Sequence, residues 1–155
     1  MKTLIVYDSL YGNTEKIARA IAEAITGEVR LARVGEVDVC ELKALDLLIV
    51  GAPTHAARPS PATREFLDKV EARALEGVKV AGFHTRLTSW WARIFGFAAR
   101  GIAKSLKKKG GTLLLSPWAF YVEGTEGPLK EGELEQAAAW ARENNRDRHS
   151  DPRIS

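Results

Sequence analysis

Hydroxyl and amide side chains cluster in one short segment near the amino terminus. Ser9, Asn13 and Thr14 surround Gly12, between a short apolar run and a helical pattern. Such side chains, together with the N–H groups at a helix start, can bind a phosphate, and a glycine lets backbone approach it closely. The segment has neither the Gly-Lys-Ser/Thr of a Walker loop nor a Gly-x-Gly-x-x-Gly pattern. The alternative is structural: Asn13 or Thr14 caps the helix and Gly12 forms the turn.

Short apolar runs alternate with amphipathic helical patterns along the chain. The runs predict strands at residues 3–7, 28–34, 46–51, 78–83 and 112–115, the last of which resumes at residues 119–122. Apolar residues at helical spacing predict helices at residues 13–25, 62–75, 89–109 and 131–143. Strands that alternate with helices indicate an α/β fold with a parallel sheet and helices on both of its faces.

Three loops follow buried strands in this arrangement, at residues 8–13, 52–61 and 84–89. In open parallel sheets, ligands bind beyond the carboxyl ends of the strands, at the point where the strand order reverses. The candidate phosphate-binding segment lies in the first of these loops. We therefore expect all three loops to form one ligand site.

Composition excludes several classes of protein. The 155 residues and 17.0 kDa fit one domain, and the 45% of hydrophobic residues is typical of a globular protein. A single cysteine, Cys40, excludes a disulfide framework and a cysteine-based metal site, and three scattered histidines argue against a histidine-rich one. No apolar run approaches the roughly 20 residues of a membrane span, and the start has no signal-peptide core. We expect a cytoplasmic protein without metal or membrane span.

The net charge of +3 is concentrated in one segment. Residues 85–112 carry seven cations and no acid, whereas the segments on either side carry more acids than bases. A basic segment can attract phosphate, nucleic acid or an acidic partner. The alternative is a solvated helix face whose lysines, at residues 107–109, interact favourably with the helix dipole.

Two motifs carry a family resemblance. The sequence IVYDSLYGNTEKIA, at residues 5–18, resembles the amino-terminal signature of the flavodoxin family. The sequence GAPTH, at residues 51–55, resembles the second flavin loop of flavodoxins and related quinone reductases. The resemblance implies a flavodoxin-like three-layer sandwich at residues 1–143, with a five-stranded parallel sheet of order 2-1-3-4-5 and FMN at the reversal point. Residues 144–155 are polar, and we expect a frayed tail there.

The resemblance also implies roles for particular residues. It assigns the FMN phosphate to the side chains of Ser9, Asn13 and Thr14, helped by the N–H groups of Tyr11 and Gly12. It assigns the ribityl chain and one side of the ring to the second loop, and the ring edge to backbone groups of the third. The full predicted set of cofactor-binding residues is Ser9, Leu10, Tyr11, Gly12, Asn13, Thr14, Pro53, Thr54, His55, Thr85, Arg86, Leu87 and Trp90.

The loops beside the expected flavin ring depart from the family pattern in aromatic residues and in backbone freedom. Flavodoxins usually place the ring between two aromatic side chains, but the imidazole of His55 is the sole aromatic group in loop two. Trp90 is a candidate to cover the ring or to contact a partner, whereas Trp91 fits a core stripe on its helix. Residues 54–62 contain no glycine, the residue whose peptide group could rotate toward the flavin at low steric cost, so we do not expect such a rotation here.

Charge at these loops also departs from the family pattern. Loops two and three contain Arg58 and Arg86 and no acid, whereas electron-carrier flavodoxins surround the flavin with acids. A nearby cation stabilises a negatively charged reduced flavin, so we expect a higher potential than in a low-potential carrier.

Three functions remain open from the sequence. The first is an FMN-binding, flavodoxin-like protein that transfers electrons. The second is a small FMN-dependent NAD(P)H or quinone oxidoreductase, which needs an open ring face; no catalytic residue is assigned to it. The third is a flavin-free binding module that uses the fold and its basic segment. The expected partners are a redox protein of acidic character or a small quinone, and we do not expect nucleic acid.

Overall fold

The computed structural model describes residues 2–55, 58–87, 98–124 and 126–150, with only the backbone described for His55, Arg58, Ala98 and residues 144–150. The strands are β1 (Lys2–Tyr7), β2 (Glu28–Arg33), β3 (Leu47–His55), β4 (Arg58–Pro59), β5 (Lys79–Leu87), β6 (Thr112–Leu113) and β7 (Trp118–Val122). The helices are α1 (Asn13–Ala24), α2 (Pro61–Lys69), α3 (Ala98–Lys108) and α4 (Glu133–Ser150). Two short 3-10 helices, Val34–Glu36 and Val39–Ala44, join β2 to β3.

The sheet confirms the predicted strand order. Parallel pairing runs β2-β1-β3-β5, and the fifth position is shared by β6 and β7, which both pair with β5. β4 is a two-residue addition that pairs antiparallel with the end of β3. The order reverses between β1 and β3, so a crevice forms beyond the carboxyl ends of these two strands.

Alternate side chains of each central strand enter two separate cores. Leu4 and Val6 pack with α2 and α3 on one face of the sheet, whereas Ile5 and Tyr7 pack with α1 and α4 on the other. This is the two-sided burial expected of a parallel strand. The result is the predicted three-layer sandwich.

Three aromatic rings fill the core between the sheet, α1 and α4. Phe83, Phe120 and Trp140 lie edge to face, with ring centroids 5.8 to 6.2 Å apart. Gly51 makes room for this cluster, because a Cβ at that position would lie 1.9 Å from the Phe83 ring. The end of β3 can therefore approach β5 closely at the base of the crevice.

Two of the strands beside the crevice, β3 and β5, are longer than predicted. β3 continues through Ala52 to His55, and β5 continues through His84 to Leu87. Their pairing extends to the Pro53–Thr85 register, so sheet hydrogen bonds include residues whose types alone indicated loop. Cross-strand pairing, which no single-strand pattern carries, accounts for the difference.

The helices also differ from prediction in their bounds. α2 ends at Lys69 because the chain turns there, and the Leu75 N–H donates to the Lys109 carbonyl at 2.9 Å instead of continuing the helix. α4 extends to Ser150, into the segment predicted to fray. On this helix Leu134 is 45% exposed, although its type favours burial, whereas Trp140 is buried. No helix in the described part of the chain is both long and apolar enough to cross a membrane.

Candidate functional site

The described residues of the three predicted loops meet at the carboxyl ends of β1, β3 and β5, around a pocket of about 320 Å³. It is lined by Ser9, Leu10, Tyr11, Asn13, Thr14, Pro53, Thr54, Thr85, Arg86, Leu87 and Val122. All but Val122 belong to the predicted set. Gly12 lies at the start of α1, His55 ends β3, and Trp90 lies outside the described residues.

Gly12 allows the tight turn into α1. Its φ of 91° is left-handed, a conformation that costs other residues about 1–2 kcal/mol. A Cβ there would have nothing within 4 Å, so backbone conformation rather than crowding requires the glycine. The turn leaves the N–H groups of Asn13 and Thr14, at the first two helical positions, without partners inside the helix.

The hydroxyl of Ser9 organises this turn. Its Oγ accepts hydrogen bonds from the N–H of Gly12 at 3.0 Å and from the N–H of Glu15 at 3.3 Å. Because a hydroxyl oxygen has two acceptor positions, both are then used, and its proton remains to be donated. The Gly12 N–H, predicted to help bind phosphate, is thus engaged with Ser9.

Thr14 and Thr85 join the first loop to the third. Their Oγ1 atoms lie 2.8 Å apart, and the two residues are 2% and 5% exposed. One hydroxyl donates to the other, so the accepting hydroxyl keeps its own proton for a further bond. The link positions the α1 start against the end of β5.

Asn13 contacts the loop before α4. Its Nδ2 donates to the carbonyl of Glu126 at 3.2 Å. The next residue, Gly127, has a φ of 105°, and a Cβ there would lie 2.8 Å from the Asn13 amide. One amide N–H predicted for phosphate therefore braces this loop against the turn.

Arg33, at the end of the edge strand β2, contacts the first loop and fixes its position. Its Nη1 donates to the Ser9 carbonyl at 3.3 Å, its Nη2 lies 3.8 Å from Glu15 Oε2, and its guanidinium carbon lies 5.3 Å from the centre of the Tyr7 ring. The Tyr7 hydroxyl donates to Glu15 Oε1 at 2.8 Å, and this bond with the cations Arg19 and Arg33 lowers the pKa of Glu15. Sequence reasoning missed Arg33, although its place at the end of β2 puts it beside Tyr7.

The second loop is tied to the first through hydroxyl groups. Ser60, immediately before α2, donates to a carboxylate oxygen of Asp8, which follows β1. Since that hydroxyl has a single proton, the 2.8 Å contact between Ser60 Oγ and Thr63 Oγ1 is a donation from Thr63. This chain of bonds fixes the approach of α2 to the crevice.

The other side of the pocket is apolar at its rim and carries one cation. Leu10, Tyr11 and Leu87 are exposed hydrophobic residues around the opening. Arg86 is half-buried, with its guanidinium carbon 5.4 Å from the centre of the Tyr121 ring. Within the described residues, the buried Thr54 Oγ1 has no hydrogen-bond partner, so this hydroxyl can bond a polar group of a ligand in the pocket.

His84 lies beneath this side of the pocket as a neutral, buried group. Its Nδ1 accepts a hydrogen bond from the Ala99 N–H in α3 at 3.1 Å. Burial, and secondarily the charge of Arg86, lowers the pKa of His84 to about 4. The imidazole therefore links β5 to α3 through the backbone N–H of Ala99.

The pocket fits a flavin mononucleotide. Proton donors at Ser9 and at the α1 start suit a phosphate, the unpartnered Thr54 hydroxyl suits a polar chain, and the apolar rim suits a planar ring. Among the described residues, no group of three or more His, Cys, Asp or Glu side chains is placed to hold a metal ion.

Comparison with known proteins gives the same assignment. The family model described as Flavodoxin matches residues 5–140. A flavodoxin of Maridesulfovibrio salexigens is 31% identical over 120 residues, which are 73% of this chain and 81% of that protein. A flavodoxin of Aquifex aeolicus is 37% identical over 73 residues, 44% of this chain and 40% of that protein.

A solved structure extends the likeness to the whole fold. Oxidised flavodoxin 2 from Bacillus cereus matches with a TM-score of 0.80 at 26% identity, covering 94% of this chain and 99% of that one. The expectations of family, fold and FMN cofactor are confirmed. The chain therefore belongs to the flavodoxin family, FMN-binding proteins that transfer electrons to redox partner proteins.

Proposed function

We propose that this chain carries electrons on an FMN held in the pocket beyond β1, β3 and β5, with the phosphate at the start of α1. Bound FMN supplies reversible electron uptake, and the protein supplies position and electrostatic surroundings. The assignment uses the predicted residues, with one change: because the Gly12 N–H is engaged with Ser9, the N–H groups of Asn13 and Thr14 take its place at the phosphate.

The hydrogen bonding of the Ser9 hydroxyl is the main support for this proposal. Both of its acceptor positions are used by the N–H groups of Gly12 and Glu15, so it can act toward a ligand only as a donor. A phosphate dianion is a strong acceptor, and the positive end of the α1 dipole adds to the attraction. A neutral or cationic group would gain little at this position.

Thr14 supplies a second donor in the same way. When Thr85 donates to Thr14, the Thr14 hydroxyl keeps its proton for the phosphate. Asn13 acts mainly as a brace, through its bond to the Glu126 carbonyl. The phosphate would then contact hydroxyl and backbone donors without a lysine, as helix N-termini permit.

Arg86 sets the electrostatic character of the ring side. It lines the pocket, and it is half-buried, so solvent screens its charge incompletely. A cation at this position favours the negatively charged reduced flavin and raises its midpoint potential. We therefore propose a higher-potential carrier, with an acidic protein or a small quinone as electron acceptor, acting in the cytoplasm.

A potentiometric titration tests this function. Apoprotein titrated with FMN should give a flavoprotein spectrum, and Arg86→Gln should lower the midpoint potential by about 30 mV, a tenfold shift in a two-electron equilibrium. Arg142→Gln, an equal change of charge on the remote α4, is the control. An unchanged potential in Arg86→Gln contradicts the electrostatic part. Rapid bleaching by NAD(P)H with quinone turnover would identify an oxidoreductase instead of a carrier.

A further inference from the structure

We propose that the outer surface of α3 docks an acidic protein partner. Four exposed cations occupy positions i, i+4, i+7 and i+8 of this helix, and so share one face. They are Arg100, Lys104, Lys107 and Lys108, here called the basic face. Together with Ala103, Leu113 and Pro117 they line a groove of about 480 Å³.

Among the described residues, no Asp or Glu lines the groove beside the basic face. Elsewhere in the described ranges, five ion pairs join a cation to an acid: Arg19–Glu15, Arg30–Glu41, Arg33–Glu15, Lys69–Glu65 and Arg73–Glu76. Within those same ranges, Lys104, Lys107 and Lys108 belong to no such pair. Their charge is therefore available to a partner.

The spacing of these cations lowers the stability of the helix. α1 and α2 place an acid four residues before a base, as in Glu15–Arg19 and Glu65–Lys69, which stabilises a helix. α3 places Arg100, Lys104 and Lys108 at the same interval, and like charges at that interval repel. The helix dipole favours cations in the last turn, at Lys107 and Lys108, but not at Arg100 and Lys104. An acidic partner would remove this repulsion.

The basic face begins beside the flavin pocket. The N–H of Ala99, at the start of the described helix, donates to His84 of β5, and the same strand supplies Arg86 and Leu87 to the pocket. From Arg100 to Lys108 the cations extend about 12 Å along the helix. They end near the opposite edge of the sheet, where the Lys109 carbonyl accepts a hydrogen bond from the Leu75 N–H and Thr112 pairs with Lys79 at the start of β5. A protein bound there lies along the helix layer, with its edge near Arg100 next to the pocket.

A protein fits this surface better than a nucleic acid does. Besides its cations, the groove is lined by aliphatic side chains, those of Ala103, Leu113 and Pro117. Single-stranded nucleic acids gain much of their affinity by stacking bases on aromatic rings, and none lines this groove in the part of the chain that the structure describes. Carboxylates around a small apolar patch would match both features of the groove.

An acidic [2Fe–2S] ferredoxin is a suitable probe, with the basic cytochrome c as its counterpart. Binding is measured by calorimetry at two salt concentrations, with both apoprotein and FMN-loaded protein. The test variant combines Lys104→Glu with Lys108→Glu. The control combines Lys43→Glu with Lys130→Glu, two exposed lysines elsewhere. Both double variants change the net charge equally, so they separate a local surface from the overall field.

The proposal predicts that the ferredoxin binds at low salt, that salt weakens binding, and that the test variant loses about tenfold or more of the affinity. The affinity of the control variant should stay within about twofold of wild type.

Equal losses of affinity in both variants, or no ferredoxin binding, would overturn the proposal. An oligo-dT strand that bound more tightly than the ferredoxin, and whose binding was weakened to the same degree by salt and by the test variant, would assign the face to nucleic acid. That result would also overturn the proposal. The partner's redox role rests on the proposed function, but docking to apoprotein does not, so the two can fail separately.

Discussion

The hydroxyls of Thr14 and Thr85 lie 2.8 Å apart in the interior, between the first turn of α1 and the end of β5. This bond joins the part of the pocket assigned to the phosphate with the part assigned to the ring. The distance between the phosphate site and the ring site is then set by one buried contact rather than by two independent loops.

Removing one hydroxyl of this pair should affect both stability and FMN binding. Thr85→Val leaves the buried Thr14 hydroxyl unpaired, which should lower the free energy of unfolding by about 1–3 kcal/mol. FMN affinity should fall severalfold, because the α1 start loses its lateral support. Thr112→Val, at an exposed threonine of the edge strand β6, is the control for urea unfolding and FMN titration. Equal behaviour of the two variants would show that the bond has no such role.

The left-handed conformation of Gly12 gives a second prediction. Gly12→Ala should destabilise the protein by about 1–2 kcal/mol, since alanine is strained at this φ although its Cβ would meet no atom. Gly35→Ala is matched to it: a Cβ there also meets nothing within 4 Å, but the φ of Gly35 is not left-handed. Thermal unfolding of both variants measures the difference. A Gly12→Ala protein as stable as Gly35→Ala would contradict the role of the turn.

Arg33 should act on the phosphate and not on the ring. It holds the Ser9 carbonyl and offsets the charge of Glu15, which lies next to the phosphate site. Arg33→Met should therefore weaken FMN binding about fivefold or more, while riboflavin, which has no phosphate, keeps its affinity. Arg30→Met, on the same strand but paired with Glu41, should alter neither affinity. Parallel loss of FMN and riboflavin binding would indicate a merely structural role.

His84 should make the fold sensitive to acid. Its pKa is about 4 in the folded protein and 6.5 when exposed, so between these values the unfolded chain binds a proton that the folded protein does not. Stability is present in full above pH 6.5 and falls as the pH drops toward 4, by about 3 kcal/mol. Urea unfolding of apoprotein from pH 7 to pH 4.5 measures the slope. His84→Gln should flatten it; an unchanged slope would rule out His84 as the cause.

Local patterns were sufficient to predict the alternation of strands and helices and the loops of the site, whereas the strand order came from the family resemblance. The run at residues 3–7 and the hydroxyl-rich turn after it have the same form in the structure, because each depends on neighbouring residues. The lengths of β3 and β5 could not be predicted, since their last residues are strands only through pairing with other strands. Pro53 pairs with Thr85, the end of β3 pairs with β4, and the end of β5 pairs with β7.

Residues that act across the fold were the ones missed. Trp140 stands among alanines in its helix, and its burial follows from the space beside Phe83 and Phe120. Arg33 reaches Ser9 only because β2 lies beside β1 in register. Asn13 was predicted as a phosphate ligand, but the turn at Glu126 and Gly127, distant in sequence, takes one of its amide hydrogens.

The affinities of FMN and riboflavin, measured side by side for wild-type protein and for Ser9→Ala, test the phosphate site most directly. The exposed Ser116→Ala is the control. The Ser9 donor predicts that Ser9→Ala weakens FMN binding about tenfold and leaves riboflavin binding within about twofold. An FMN affinity that Ser9→Ala leaves unchanged, or an equal loss for both ligands, would contradict a phosphate at the start of α1.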